Sequence, residues 1–147
     1  MFSVSAKTQY GIRALVHLAR LEADGNAPAL LSGLGPDSVA TGASIAKSEN
    51  ISPKYLEGIL AQLTTSGLLV SERGKKGGYR LAKPASAIRM SEIVGALEGE
   101  VRPVGCVDDF EACTQGPDCL PRLFWCGLKD VIDGYLESKT LRDVLDS

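Results

Sequence analysis

Four cysteines stand close together in the C-terminal third of the chain, and their spacing limits the chemistry they can do. They are Cys106, Cys113, Cys119 and Cys126. Clustered thiols in a chain expected to stay in the cytoplasm favour metal or redox chemistry over disulfides, because reducing compartments keep thiols free. No Cys-x-x-Cys pair occurs, which disfavours a zinc ribbon or a thioredoxin motif. Because thiolates are the normal ligands of iron–sulfur clusters, the group predicts either such a cluster or redox-active thiols without metal.

A second group of residues that could take part in binding is basic. Residues 47–83 carry seven basic and three acidic side chains, a net charge of +4, although the whole chain carries −2. Within this segment, Arg73, Lys75 and Lys76 stand among three glycines in a six-residue loop. Glycine lets a backbone approach a partner closely, and arginine is favoured in narrow minor grooves. The loop therefore predicts contact with a polyanion, with a solvated hairpin tip as the simpler alternative.

Composition disfavours several other classes of protein. The chain has 147 residues, of which 44% are hydrophobic and 23% charged, as in one globular domain. No apolar run approaches the roughly 20 residues of a membrane span, and residues 1–7 lack the pattern of a signal peptide, so we expect a cytoplasmic protein. We find no Ser-His-Asp candidate around His17, the single histidine, and no nucleotide-binding loop. An enzyme is therefore not predicted.

The basic segment contains two short predicted helices separated by a tight turn. The first spans residues 42–49, between Thr41 as N-cap and Asn50 as its end. The second spans residues 53–66, because Ser52 can accept a hydrogen bond from a free N–H group, a proline fits the first helical position and a glycine follows the last. Two strands at residues 68–72 and 79–82 then flank the glycine-rich loop and form a hairpin.

This order of elements is typical of a winged helix-turn-helix. An α-helix fits the major groove of DNA, and its first turn carries side chains towards bases and phosphates. In the second helix these side chains are Ser52, Lys54, Tyr55 and Glu57. Serine and lysine can contact phosphate, and Glu57 can accept a hydrogen bond from a cytosine amino group. Pure structural packing of the helix pair is the alternative.

The remaining segments complete a mainly α fold with a small β-hairpin wing. They are a helix at 8–21, a loop or weak hairpin arm at 23–39, a helix capped by Ser91 through Leu97, an irregular stretch at 100–120, a long helix from Pro121 to about Lys139 and a short turn capped by Thr140. We expect a DNA-binding domain at 1–99, a cysteine-bearing loop at 100–120, and a dimerisation helix with a tail at 121–147.

The long helix has an apolar stripe that is wide for so small a domain. The stripe consists of Phe124, Leu128, Val131, Ile132, Tyr135 and Leu136. We expect part of it to bury against a second copy around a two-fold axis. The two recognition helices would then reach successive major grooves about 34 Å apart. Folding of this helix back onto its own domain is the alternative.

Several short runs occur together over nearly the whole chain. They are KTQY at 7–10, RAL at 13–15, ISPKYLE at 51–57, GLL at 67–69, RG at 73–74, GGYRL at 77–81 and VGALEG at 94–99. With the cysteine segment and Trp125, they resemble the Rrf2 family of bacterial transcription regulators. The resemblance implies a homodimer that binds pseudo-palindromic double-stranded operator DNA. It also implies that Lys54, Glu57 and Arg73 make the base and groove contacts.

The resemblance further implies a set of cluster ligands. In the IscR and NsrR types of the family, three loop cysteines hold a 2Fe–2S or 4Fe–4S iron–sulfur cluster, and the matching residues are Cys106, Cys113 and Cys119. The histidine that is the fourth ligand of the IscR type is Arg122 here, and the acidic ligand of the NsrR type is Gln9. The fourth position is left to Cys126, Gln9, solvent or a small thiol, and Cys126 otherwise serves as a packing or interface residue.

We therefore expect a homodimeric regulator that senses redox, iron or nitric oxide status through a cluster on its cysteine loop. Gain, loss or oxidation of the cluster would shift the balance between arrangements that bind DNA and arrangements that do not. One alternative is a cluster-free thiol-based regulator, as in the CymR type of the same family. Another is a redox or metal-handling protein with no DNA role.

Overall fold

The computed structural model describes residues 3–25, 39–74, 77–109, 111, 115 and 118–147. These residues form six α-helices and one two-stranded antiparallel sheet. The elements are α1 (Ala6–Gly25), α2 (Gly42–Glu49), α3 (Pro53–Thr65), β1 (Leu69–Glu72), β2 (Gly78–Leu81), α4 (Met90–Leu97), α5 (Leu120–Ser138) and α6 (Leu141–Leu145). The predicted fold class, mainly helical with a β-hairpin, is confirmed.

The helix-turn-helix consists of α2 and α3, and local signals set its boundaries. The Thr41 hydroxyl accepts a hydrogen bond from the Ser44 N–H at 3.1 Å, and Asn50 adopts the left-handed conformation with φ of 53°. The N-cap and the end of α2 are therefore as predicted. Ser52 precedes α3, but its side chain makes no capping hydrogen bond. The start of α3 depends instead on Pro53, whose ring fixes a helical φ.

Two other helices begin or end away from their predicted positions. The first helix continues to Gly25, so it includes the first residues of the predicted 23–39 loop, whose residues 26–38 lie outside the described ranges. The fourth helix begins at Met90 rather than after Ser91, because the Glu92 carboxylate accepts a hydrogen bond from the Arg89 N–H at 2.9 Å. The Ser91 hydroxyl donates to Glu137 at 2.6 Å and is not a cap.

The core lies between α1, α3 and α4. The predicted apolar stripe of α3 is confirmed as buried. It consists of Leu56, Ile59, Leu60 and Leu63, each no more than 2% exposed. Leu15 and Leu18 of α1 and Ile93 of α4 are buried in the same cluster. Because this stripe fixes one side of α3 inwards, the opposite side faces solvent.

The wing is short but paired over its full length. Leu69 faces Leu81 and Glu72 faces Gly78 in the antiparallel register. Ala40, which precedes α2, adds a bridge to Tyr79, with hydrogen bonds of 3.0 and 2.8 Å in the two directions. The wing is therefore attached to the start of the helix-turn-helix as well as to its end.

Gly78 is required where the Ala40 backbone meets the wing. A Cβ atom at Gly78 would lie 2.4 Å from the Ala40 carbonyl oxygen. We expect Gly78→Ala to lower the free energy of unfolding by about 1–3 kcal/mol, the usual cost of overpacking. Urea unfolding measures this loss of stability.

The matched control is Gly95→Ala on the exposed face of α4, where a Cβ would meet nothing within 4 Å. The control variant should be at least as stable as the wild type, because alanine favours helices. Equal stability of Gly78→Ala and the wild type would contradict the proposed close approach.

None of the helices in the described ranges is long and apolar enough to cross a membrane.

Candidate nucleic-acid interface and thiol site

The first turn of α3 presents its predicted contact residues to solvent. Ser52, Lys54, Tyr55 and Glu57 are all exposed. They lie together because the apolar residues of the same helix face the core. The structure thus brings the predicted helix contacts onto one exposed surface, which we call the recognition face.

An aromatic contact with α1 supports one edge of the recognition face. The ring of Tyr55 meets the ring of Tyr10 edge-on, with centroids 5.8 Å apart and planes at 87°. Tyr55 remains 42% exposed, so its other edge is accessible. The sequence predicts the exposure of Tyr55 but not this contact, because Tyr10 stands 45 positions earlier in the chain.

Some charges of the basic segment are neutralised and others are not. Arg80 pairs with Glu72 at 3.2 Å, and Lys83 pairs with Glu92 at 2.7 Å. Within the ranges that the structure describes, Lys47, Lys54 and Arg73 have no carboxylate within ion-pair distance. These cations therefore remain available to an anionic partner. They are all exposed.

The wing tip is described only at its ends. Arg73 follows β1 and is exposed, and Gly74 adopts a positive φ of 113° that side chains rarely tolerate. The predicted contacts Lys75 and Lys76 lie outside the described residues. The geometry thus places Arg73 at the base of the tip.

Two of the predicted cysteine ligands lie at the two ends of one loop. Cys106 stands on a single 3₁₀ turn, Gly105–Val107, and Cys119 directly precedes α5. Both are free, half-buried thiols. Cys113 lies outside the described residues. Within the described part of the chain, no three His, Cys, Asp or Glu side chains are grouped so as to hold a metal ion.

Arg122 joins the two ends of this loop. It lies in the first turn of α5, three positions after Cys119, and its Nε donates a hydrogen bond to the Cys106 carbonyl at 3.0 Å. Arg102 closes the turn that carries Cys106 by pairing with Asp108 at 3.0 Å. The hydrogen bond that Arg102 donates to the Glu100 carboxylate, together with the charge of Asp108, raises the pKa of Arg102 above its ordinary value. The protein's own side chains therefore order both ends of the loop.

The start of the loop is anchored to α1. The Glu98 carboxylate accepts hydrogen bonds from the Ser5 hydroxyl at 2.6 Å and from the buried Thr8 hydroxyl at 2.5 Å. These hydrogen bonds lower the pKa of Glu98, and the bond from Ser5 has the larger effect. Gly99 then turns the chain away with φ of 84°. The loop thus begins from a fixed point beside the start of α1.

The last long helix, α5, has an apolar face that the described residues leave exposed to solvent. Its exposed apolar residues are Leu120 (75%), Leu123 (66%), Phe124 (67%), Val131 (69%) and Tyr135 (63%). From the predicted stripe, Leu128, Ile132 and Leu136 are half-buried instead. Cys126 is half-buried on the same helix. A group of exposed apolar side chains on one helix usually marks a contact with another molecule.

Comparison with known proteins gives consistent results. A family model, Rrf2, described as an iron-dependent transcriptional regulator, matches residues 4–147. The HTH-type transcriptional regulator CymR of Bacillus subtilis (strain 168) is 33% identical over 141 residues, 96% of this chain and 88% of that protein. The HTH-type transcriptional regulator IscR of Photorhabdus laumondii is 31% identical over 144 residues, 98% of this chain and 79% of that protein.

Solved structures give the same two names. The structure of B. subtilis CymR, called the global cysteine regulator of that organism, aligns with a TM-score of 0.75 and 30% identity over 98% of this chain and 96% of that one. The structure of T. potens IscR aligns with a TM-score of 0.73 and 29% identity over 99% of this chain and 87% of that one. Both likenesses therefore cover nearly the whole chain.

Proposed function

The chain belongs to the Rrf2 family of transcriptional regulators, and from this premise we propose that it binds operator DNA as a cytoplasmic homodimer under the control of its cysteine loop. The observation that carries DNA binding is the recognition face. Its polar side chains are exposed together, and the exposed cations Lys47, Lys54 and Arg73 of the basic segment lack carboxylate partners among the described residues. The relatives are named as transcriptional regulators, and no catalytic activity is part of the proposal.

In this proposal α3 enters the major groove by its first turn. Ser52 and Lys54 contact phosphates or base edges there, and Glu57 accepts a hydrogen bond from a cytosine amino group. Arg73, with Lys75 and Lys76 of the wing tip, reaches the adjacent minor groove, where a negative potential favours cations. The bridge between Ala40 and Tyr79 supports this arrangement, because it attaches the wing to the start of the helix-turn-helix.

Selection of duplexes from random-sequence DNA with the wild-type chain tests the proposal. We expect an enriched pseudo-palindrome, because a two-fold dimer reads two half-sites. Its affinity should fall as salt rises, with a slope that reports the number of phosphates contacted. Recovery of no preferred sequence, together with salt-independent binding, would contradict a role in operator recognition.

We expect Arg73 and Lys75 to differ in what they contribute to DNA binding. Arg73→Ala should weaken binding to the selected duplex by about 1–3 kcal/mol, because a groove contact is lost. Lys75→Ala should weaken binding to all sequences alike and reduce the salt slope by about 1, because a phosphate contact is lost. Fluorescence anisotropy with the selected duplex and a random duplex measures both. Equal effects of the two substitutions on both duplexes would refute this division of roles.

We propose that the uncovered face of α5 packs against α5 of a second copy. The support is the exposure of Leu123, Phe124 and Val131, which no described part of the chain buries. Contact of this kind places the two-fold axis on α5, away from the recognition face.

We propose Cys106, Cys113 and Cys119 as the ligands of an iron–sulfur cluster. The donor set fits such a group, because thiolates are its normal ligands and two of the three are half-buried free thiols. Arg122 supports the site by joining the backbone at Cys106 to the helix that follows Cys119. When bound, a cluster supplies a redox-active centre whose state can be read by the rest of the protein.

A second candidate is regulation by the thiols alone. The observation that favours it is the 33% identity to CymR of B. subtilis, the global cysteine regulator of that organism. In this case the same cysteines change oxidation state without metal. The iron and sulfide contents of protein purified without oxygen separate the two candidates.

A further inference from the structure

The last residue of α2 is held by two side chains of α1. Arg13 Nε lies 3.3 Å from Glu49 Oε2, and Arg13 Nη2 donates to the Glu49 backbone carbonyl. His17 Nδ1 lies 3.3 Å from the other carboxylate oxygen, Glu49 Oε1. The carbonyls at the end of a helix lack partners within the helix and carry partial negative charge. The guanidinium therefore satisfies the end of α2 and also binds its last side chain.

The residue held in this way directly precedes the turn that aims α3. Asn50 adopts the left-handed conformation, and the N–H of buried Ile51 donates to the Ala46 carbonyl at 2.9 Å. Only Ser52 then separates the turn from the first residue of α3. Because the turn is so short and so constrained, the position of Glu49 affects the direction in which α3 leaves it.

The same guanidinium reaches the far side of the turn through two aromatic rings. The Arg13 guanidinium carbon lies 5.6 Å from the centre of the Tyr10 ring, within the range of a cation–π contact. Tyr10 in turn meets Tyr55, on the first turn of α3. Arg13 thus connects Glu49, which precedes the turn, to Tyr55, which follows it.

We propose that Arg13 is a positioning residue for DNA recognition, fixing the first turn of α3 relative to α2 through Glu49 and Tyr10. This inference rests on the proposed DNA binding. Arginine suits the task because its planar fork reaches a carboxylate and a carbonyl while its face stacks on a ring, which lysine cannot do at once. The Arg13 side chain is 48% exposed, so the test must also separate positioning from a direct phosphate contact.

The test compares Arg13→Ala and Arg13→Lys with the wild type on the selected duplex and on a random duplex over a range of salt concentrations. Positioning predicts that both variants lose roughly tenfold in affinity for the selected duplex, the size of one charged hydrogen bond. It also predicts unchanged affinity for the random duplex and an unchanged salt slope. The matched control is Arg142→Ala, because Arg142 is 50% exposed and pairs with Asp146 at 3.0 Å in α6. It should leave both affinities unchanged.

Three other outcomes overturn the inference. A salt slope reduced by about 1 in Arg13→Ala, with both duplexes affected, assigns a phosphate contact instead. Full affinity in Arg13→Lys shows that charge alone suffices. Unchanged affinity of folded Arg13→Ala shows a structural role only.

If Arg13→Ala does not fold, Glu49→Gln replaces it in the test. We expect a smaller loss of affinity in Glu49→Gln, because the backbone carbonyl remains. Wild-type protein without sequence preference refutes the proposed function itself, which a loss confined to the variants does not.

Discussion

Val131→Asp is expected to convert the protein into a monomer that binds operator DNA roughly a hundredfold more weakly, since linked half-sites lose their avidity. Val131 is 69% exposed on α5, in the middle of the apolar face that the described residues leave exposed. A carboxylate placed there would be buried without a partner in the two-fold contact. The packing of two helices does not offset the cost of burying that charge. Sedimentation velocity measures the state of assembly, and anisotropy measures the affinity.

The control for this variant is a charge placed on another exposed helix. Val144→Asp on α6 introduces the same change at a valine that is 36% exposed. It should remain a dimer with wild-type affinity. A Val131→Asp protein that sediments as a dimer and binds the operator normally would show that α5 is not the interface.

Cys119→Ser should remove the visible absorption, iron and sulfide of protein purified without oxygen, and Cys106→Ser should do the same. The reason is that a cluster held by three thiolates loses a covalent ligand that serine replaces poorly. Both positions are half-buried at the described ends of the loop, and Arg122 links those ends. The measurement is a visible spectrum with iron and sulfide counts per chain.

Cys126→Ser provides the comparison, since Cys126 is a half-buried thiol of the same segment within α5. We expect it to keep the cluster. Loss of the cluster in Cys126→Ser would make this residue the fourth ligand. A colourless and iron-free wild-type protein would instead favour regulation by thiols alone, and the operator affinity of the reduced and oxidised protein would then be the property to measure.

The structure suggests how the cysteine loop and the recognition face are connected. The loop begins at Glu98, whose carboxylate is bound by Ser5 and Thr8 at the start of α1. Gln62 of α3 donates to the Ala96 carbonyl of α4 at 2.7 Å. A displacement at the end of α4 would therefore act on both α1 and α3. Specific hydrogen bonds thus join the end of α4, from which the loop departs, to α1 and to α3.

Local signals in the sequence were sufficient to predict the helix-turn-helix and wing. Asn50 and Gly67 adopt the positive φ values that end helices, and Thr41 and Thr140 cap the helices that follow them. Such signals act within a few residues, so they can be read without the fold. Ser91 failed as a predicted cap because the helix begins one residue earlier, where the Glu92 carboxylate accepts from the Arg89 N–H, and the Ser91 hydroxyl donates to Glu137 instead.

The contacts that the sequence did not predict join residues far apart in the chain. Arg13 holds Glu49 across 36 positions, and Arg122 reaches the carbonyl of Cys106 across 16. No local pattern marks these pairs, because each depends on how two helices or a loop and a helix pack. Arg122 shows the difference well: in the sequence it marks the absence of a histidine ligand, whereas in the structure it organises the cysteine loop.

The central claim is that the recognition face and the wing tip of one dimer lie against the same side of a DNA duplex. A hydroxyl-radical footprint on the selected duplex tests this most directly. We predict two protected segments one helical turn apart, about 34 Å, each with minor-groove protection beside it that disappears in Arg73→Ala. A single uniform protected stretch that Arg73→Ala does not alter, or no protection at all, would contradict the claim.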